Sequence, residues 1–224
     1  IAGETIDYGP CAFMDGFHPD SVFSAIDQYG RYAYSNQPAI GAWNMAQFAT
    51  ALIPLMPDRE AAIEGFTVAV HRMPGLYEAE WLAVFGAKLG ISDPVEDDRL
   101  LIHDLLDMMA KDGADFTNTF ANLSSTKARD QFIDGDAFDA WTARWHLRKS
   151  DDAQSIMARA NPQIIPRNHR VEEVISAGRA GDYAPFHALL DAITNPYTTL
   201  TEATAVFARA PTKDEQVTRT FCGT

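Results

Sequence analysis

The stretch that decides the fold class is Ser92–Gly113, with the sequence SDPVEDDRLLIHDLLDMMAKDG. An aspartate followed by a proline is typical of a helix start, so we expect Asp93 to be the N-cap and Pro94 the first helical residue. The acidic run Glu96–Asp98 then falls in a solvated first turn, where the helix dipole favours negative charge. Gly113 is typical of a helix end. The stretch therefore predicts one α-helix with both ends marked.

Helical patterns continue on the amino-terminal side. Residues Trp43–Met56 (WNMAQFATALIPLM) are apolar on most faces and predict a buried helix. For the next helix Asp58 is the expected N-cap and Pro74-Gly75 the expected stop, with an apolar stripe at Ile63, Phe66 and Val70. A further stripe ends before Gly90, a predicted residue just beyond a helix C-terminus, and consists of Leu82, Phe85 and Leu89.

On the carboxyl-terminal side, another stripe consists of Phe138, Trp141 and Trp145. We interpret Trp141 and Trp145 as core residues rather than as a stacking platform. Additional helices are predicted at residues 152–159, 170–180 and 183–193.

Strand signals are confined to the beginning of the chain. The segments ETID (residues 4–7) and GRYAYSN (residues 30–36) are short, β-prone and bounded by Gly or Asn. The fold class predicted is mainly α, with a few short N-terminal strands followed by six to eight helices. Because no repeat or linker-like stretch interrupts the pattern, residues 1–224 are expected to form one domain.

Composition limits the possible functions. Of the residues, 46% are hydrophobic and 22% charged, as in ordinary globular proteins. The net charge of -13 argues against general binding of nucleic acids or anionic membranes, but it leaves ATP possible, since local cations and metal ions hold that ligand. Two cysteines, Cys11 and Cys222, are too few for a disulfide framework and indicate unpaired thiols in a reducing cytosol.

The sharpest chemical candidate is Asp7 in Asp7-Tyr8-Gly9, a variant of the D-F-G that binds metal and nucleotide phosphates in protein kinases. A carboxylate at a strand end, followed by glycine, is able to project into a cleft and bind Mg²⁺. The alternative is a structural Asp7 that caps local backbone amides. Such a motif belongs in the middle of a chain, so we expect the sequence to be part of a longer protein.

A second unusual stretch is Asn161–Ile175 (NPQIIPRNHRVEEVI), where two prolines predict an extended run between helices. Asn168 is the expected cap of the next helix, beginning near Val171. Arg167, His169 and Arg170 concentrate positive charge. They either contact a phosphate or partner, or Arg167 pairs with buried carboxylates while His169 is a hydrogen-bonded core residue. The other histidines show no spacing typical of zinc sites.

Taken together, five segments resemble the selenoprotein O (SelO) family of protein AMPylases, which have a kinase-like fold. They follow the family's order and are Gly3–Asp15, Gly30–Leu55, Asp115–Phe120, Asn161–Ile175 and Phe221–Thr224. The resemblance implies that this chain is the C-terminal lobe, a helical bundle, of a longer kinase-like protein. The nucleotide-binding half, the catalytic base and an Asn metal ligand would lie upstream of Ile1.

The resemblance also implies a reaction: transfer of AMP from ATP to a Ser, Thr or Tyr hydroxyl of another protein, with Mg²⁺ or Mn²⁺. Asp7 is then the one catalytic-motif position present, a metal ligand, and the fragment alone is expected to be inactive. Cys222 matches the family's C-terminal redox position. Cys11 either pairs with it in a disulfide or both remain separate thiols. The competing hypothesis is a non-catalytic helical module for protein contacts. For a bacterial protein the expected location is the cytoplasm.

Overall fold

The computed structural model describes residues 13–217. Asp7, Cys11, Cys222 and the predicted strand at residues 4–7 lie outside this range. The predicted mainly α class is confirmed. The α-helices of the described part are α1 (Gln37–Leu52), α2 (Arg59–His71), α3 (Met73–Lys88), α4 (Asp98–Asp112), α5 (Phe116–Ala121), α6 (Gly135–Arg148), α7 (Ala153–Ala160), α8 (Asn168–Arg179), α9 (Ala184–Ile193) and α10 (Ala205–Ala208).

The core is centred on α4 and α6. Leu105 and Met109 of α4 are completely buried, and the predicted stripe of α6 packs beside them. The indole nitrogen of Trp141 donates to the carbonyl of Leu101 at 2.8 Å, and that of Trp145 donates to the carbonyl of Leu89 at 2.7 Å. Each buried N–H group thus has a partner. The interpretation of both tryptophans as core residues is confirmed.

The start predicted for α4 is wrong, whereas its end is confirmed. Gly113 has φ 66°, the left-handed conformation expected just beyond a helix. The helix begins at Asp98 rather than at Pro94, because the Asp98 carboxylate accepts the amide of Val95 at 2.8 Å and closes a separate turn. Asp98 is also buried and bonded to Arg148 at 2.6 Å, so this part of the acidic run is not solvated.

The strand predicted at residues 30–36 is also wrong. The segment forms a turn and then a 3₁₀ turn at Tyr34–Asn36. The Asp27 carboxylate accepts the amides of Arg31 and Tyr32, both at 2.8 Å, and Gly30 has φ 63°. These local bonds hold the chain in a loop and outweigh its β-propensity.

Helices α1 and α2 depart from the prediction in burial. The helix expected at Trp43–Met56 is present as α1 and a following 3₁₀ turn, but within the described range none of its residues is buried. The cap at Asp58 is confirmed, since its carboxylate accepts the amide of Ala61 at 3.0 Å. Pro74-Gly75 does not stop a helix. Both residues lie in the first turn of α3, where proline is tolerated.

The later helices agree with the prediction more closely. Gly90, with φ 70°, follows α3 as expected. The helices predicted at 152–159, 170–180 and 183–193 are present as α7, α8 and α9, with small shifts of their ends. Asn168 is the first residue of α8 and the N-cap is Arg167, so the predicted cap is wrong. In the part of the chain that the structure describes, no helix is both long and apolar enough to span a bilayer.

Candidate functional site

The described segment nearest in sequence to the Asp7 motif is fixed to the helical core by short backbone pairing. The amide of Phe116 donates to the carbonyl of Asp15, and the amide of Phe17 donates to the carbonyl of Ala114, both at 2.8 Å. Gly16 lies between them, in an antiparallel bridge with Asp115. A Cβ atom on Gly16 would lie 2.9 Å from a backbone carbonyl oxygen, so this close approach requires glycine.

Arg167 joins this segment to the helices. Its side chain is completely buried and contacts two carboxylates, and we call Arg167, Asp15 and Asp115 the Arg167 cluster. Nη1 donates to Asp15 Oδ1 and, at 2.7 Å, to Asp115 Oδ2, while Nη2 donates to Asp115 Oδ1 at 3.0 Å. Asp115 also caps α5 by accepting the amide of Asn118 at 2.7 Å. One guanidinium therefore fixes two distant segments together.

Burial and charge shift the pKa values of Asp15 and Arg167 in the cluster. Burial raises the pKa of Asp15, and this effect outweighs the opposing charge of Arg167. Burial also opposes the charge of Arg167, but the hydrogen bonds and charge of Asp115 raise the pKa of the guanidinium overall. The result is a buried site in which one cation is shared by two carboxyl groups.

His169 lies near the cluster and is buried. Burial, together with the neighbouring charge of Arg170, lowers the pKa of His169, so the ring is neutral at pH 7. Neither ring nitrogen has a hydrogen-bond partner within residues 13–217. The predicted pairing of Arg167 with buried carboxylates is confirmed for Asp115, while Asp15 is partly exposed. The predicted hydrogen bonding of His169 is not found in the described range. Arg170 pairs with Glu173 at 2.7 Å.

A cavity of about 360 Å³ is lined in part by Phe116, the residue after Asp115, and its walls also include Phe13, Tyr34, Lys88 and Phe120. Burial lowers the pKa of Lys88 and raises the pKa of Tyr34 to about 12. The Lys88 ammonium lies over the rings of Phe116 and Phe120, at 5.7 and 5.3 Å from their centroids. Its closest polar partner is the carbonyl of Ala160, at 3.3 Å. The cavity is thus mainly apolar, with one cationic group.

Acidic side chains in the described part do not form a metal site. Between residues 13 and 217, no group of three or more His, Cys, Asp or Glu residues is arranged to hold a metal ion. Asp15 and Asp115, the carboxylates of the cluster, are both engaged by Arg167. They therefore hold the protein together rather than offer ligands, and the predicted ligand Asp7 lies outside the described residues.

The sequence model of the family described as protein adenylyltransferase SelO matches residues 1–194. The chain belongs to the SelO family. The match includes Asp7 and the complete Arg167 cluster.

Several bacterial relatives of this SelO chain carry the name "Protein nucleotidyltransferase YdiU". The protein of Roseobacter denitrificans is 57% identical over the whole chain, which covers 47% of that relative. The proteins of Ruegeria sp. and Jannaschia sp. are 54% and 48% identical, and the chain covers 48% of each. The chain thus spans about half the length of the curated relatives it matches, and it corresponds to their C-terminal half.

Sequence reasoning missed Asp15, Asp115 and Lys88 as site residues. A signal for the two aspartates was present, because Asp15 ends and Asp115 begins a segment that resembles the SelO family. Neither segment indicates that the two carboxylates meet at Arg167, since that contact depends on the tertiary fold. For Lys88 the sequence contains no comparable signal.

Proposed function

We propose that the intact protein transfers AMP from ATP to Ser, Thr or Tyr hydroxyls of other proteins, and that this chain is its C-terminal, kinase-like half. The match of the SelO family to residues 1–194 carries the proposal. The shared name of the relatives, protein nucleotidyltransferase, supports the same reaction class. Because the chain corresponds to half of those relatives, the nucleotide-binding half and the catalytic base belong to the upstream part.

Asp7 is the residue of this chain to which we assign metal binding, with Mg²⁺ or Mn²⁺ as the ion and further ligands from the upstream half. The bound ion would neutralise negative charge on the phosphate oxygens of ATP. Asp7 supplies a carboxylate of the type that such ions prefer. The Arg167 cluster supports this role indirectly, since it fixes the chain at Asp15, eight positions after Asp7.

The reaction is tested by incorporation of α-labelled AMP into protein substrates, with the intact protein and the 224-residue chain assayed side by side. We expect label with the intact protein and none with the chain alone, because the chain lacks the upstream half. An initiator methionine directly before Ile1 in the gene would contradict the proposal, since the protein would then have no nucleotide-binding half.

The role of Asp7 is tested by Asp7→Asn in the intact protein. The substitution keeps the size of the side chain and removes the charge that binds the metal, so AMP incorporation should be lost. Asp20→Asn is the matched control, because Asp20 is an exposed aspartate of the same region. Full activity of the Asp7→Asn protein would refute the assignment.

Cys222 is proposed as a redox residue on the basis of its position in the family. Whether it pairs with Cys11 distinguishes two alternatives, a disulfide or two separate thiols. Mass measurement of alkylated protein with and without reductant separates them: a disulfide gives two additional modified thiols after reduction, whereas separate thiols give the same count in both samples.

A further inference from the structure

Helices α1, α2 and α3 present a surface that is unusual for the outside of a protein. Among the described residues of α1 none is buried, and in α2 only Ala62 is. Large apolar side chains are exposed along the three helices and the α1–α2 connection. We call these exposed side chains the α1–α3 surface. It includes Trp43, Met45, Met56, Val68, Leu76 and Val84. From Gln37 to Pro57 the sequence contains no Asp, Glu, Lys or Arg.

Such a surface is expected to be covered. A helix that is apolar on all sides belongs in the interior of a protein, and contiguous exposed apolar area marks a contact with another polypeptide or a membrane. Helix α4 shows the difference, because its core side is apolar while Asp104 on its outer side pairs with Arg144. Helix α1 has no charged residue to face water.

The upstream half is the occupant that best fits the surface. Curated relatives contain as much chain again as the part matched here, so a partner of adequate size exists in the same polypeptide. The surface is also next to the point where the upstream chain reaches the core. Phe17, two residues after Asp15, packs edge-to-face on Tyr34 with 5.5 Å between ring centroids. Tyr34 begins the 3₁₀ turn that leads directly into α1.

Electrostatics disfavours the other occupants. A second copy of this chain would bring together two bodies that each carry a net charge of -13. The same charge repels the anionic surface of a membrane. The upstream half is joined to this chain covalently, so its contact with the surface is intramolecular and does not require two separate bodies to associate.

We propose that the α1–α3 surface is the contact through which this chain packs against the amino-terminal half of the intact protein. The proposal rests on the proposed function in one respect, namely that the upstream half exists. Contact along α1–α3 fixes the nucleotide-binding half relative to residues 15–17, which are held to the helical core by backbone pairing. The surface is therefore an internal interface of the enzyme rather than a docking site for protein substrates.

The test is hydroxyl-radical footprinting of the intact protein, read by mass spectrometry. In the 224-residue chain Trp43 and Met56 are 49% and 41% exposed, while Trp141 and Trp145 are each 2% exposed. If the surface is covered, labelling of Trp43 and Met56 in the intact protein should fall by about fivefold or more relative to the chain, towards the level of the buried tryptophans. Exposed Tyr29, at 97%, should be labelled equally in both samples.

Two results would overturn the proposal. The first is labelling of Trp43 in the intact protein at the level expected for a half-exposed tryptophan. The second is protection of Trp43 in the isolated chain that grows with the concentration of the chain, which would identify a second copy as the occupant. The low labelling of Trp141 and Trp145 verifies that each sample is folded. Footprinting does not depend on catalysis, so an intact protein that protects Trp43 but transfers no AMP would contradict the proposed function and leave the interface standing.

As a second measurement, Val84→Lys in the intact protein should lower its thermal stability and restore the labelling of Trp43, because a charge at the contact disfavours packing. Leu147→Lys is the matched control, since Leu147 is an exposed apolar residue of α6 outside the surface. Equal effects of the two substitutions would contradict the interface.

Discussion

Replacing Arg167 by methionine should destabilise the 224-residue chain strongly. The substitution keeps much of the side-chain volume and removes the cation shared by Asp15 and Asp115. Three charge-assisted hydrogen bonds are lost, each worth about 1.5–3 kcal/mol. Asp15 is partly exposed and regains water, whereas Asp115 is buried. The expected loss in the free energy of unfolding at neutral pH is therefore about 3–5 kcal/mol, the range for breaking a buried ion pair from one side.

The assay is urea unfolding followed by the fluorescence of the tryptophans, two of which lie in the core at Trp141 and Trp145. Arg144→Met is the matched control, because Arg144 also makes a short bond, of 2.6 Å, to a carboxylate, that of Asp104, but is half exposed. Its loss should be less than about 1 kcal/mol. Equal losses for the two variants would refute the reasoning.

The pH dependence of the Arg167→Met variant provides an independent check. The charge of Arg167 lowers the pKa of Asp15, so removal of the guanidinium raises that pKa further above its ordinary value. A carboxyl group whose pKa is higher in the folded state favours folding when protonated and loses that contribution as the pH rises. The deficit of the variant should therefore shrink on acidification from neutral pH. A deficit that grows on acidification would show that the carboxylates left without Arg167 are not its cause.

Two further predictions concern α4 and the end of α3. The hydrogen bond from Arg148 lowers the pKa of Asp98, so the carboxylate stabilises the fold above its unfolded pKa and loses that effect as the pH falls. The Asp98→Asn variant should therefore be less stable than the parent protein at neutral pH and approach its stability in acid, as measured by urea unfolding. Gly90→Ala should lower the free energy of unfolding by more than about 1 kcal/mol, because φ is 70° and the new Cβ would lie 2.6 Å from the Cβ of Ala153. Gly65→Ala, in α2 with open space around it, should instead be neutral or slightly stabilising in the same assay.

The sequence by itself determined where most helices lie and several of their ends. Gly90 and Gly113 lie at helix ends as predicted, both with positive φ, and Asp58 caps α2, because these signals act through the backbone of the same few residues. The stripe at Trp141 and Trp145 was predictable because its period is that of a helix. Membership of the SelO family was likewise indicated by short segments in order, without knowledge of the fold.

The tertiary structure alone decided which polar groups are buried and which apolar ones are not. The sequence pattern places Asp98 in a solvated helix start, yet in the structure Asp98 is buried and bonded to Arg148, 50 positions later. Helix α1 reads as a core helix but has no covering layer in the described part. Arg167 lies 152 positions from Asp15 and 52 from Asp115, so no local pattern connects them. Arg167 contacts both carboxylates because backbone pairing places residues 15–17 beside residues 114–116, and Arg167 lies next to them at the start of α8. That arrangement is a property of the packed chain.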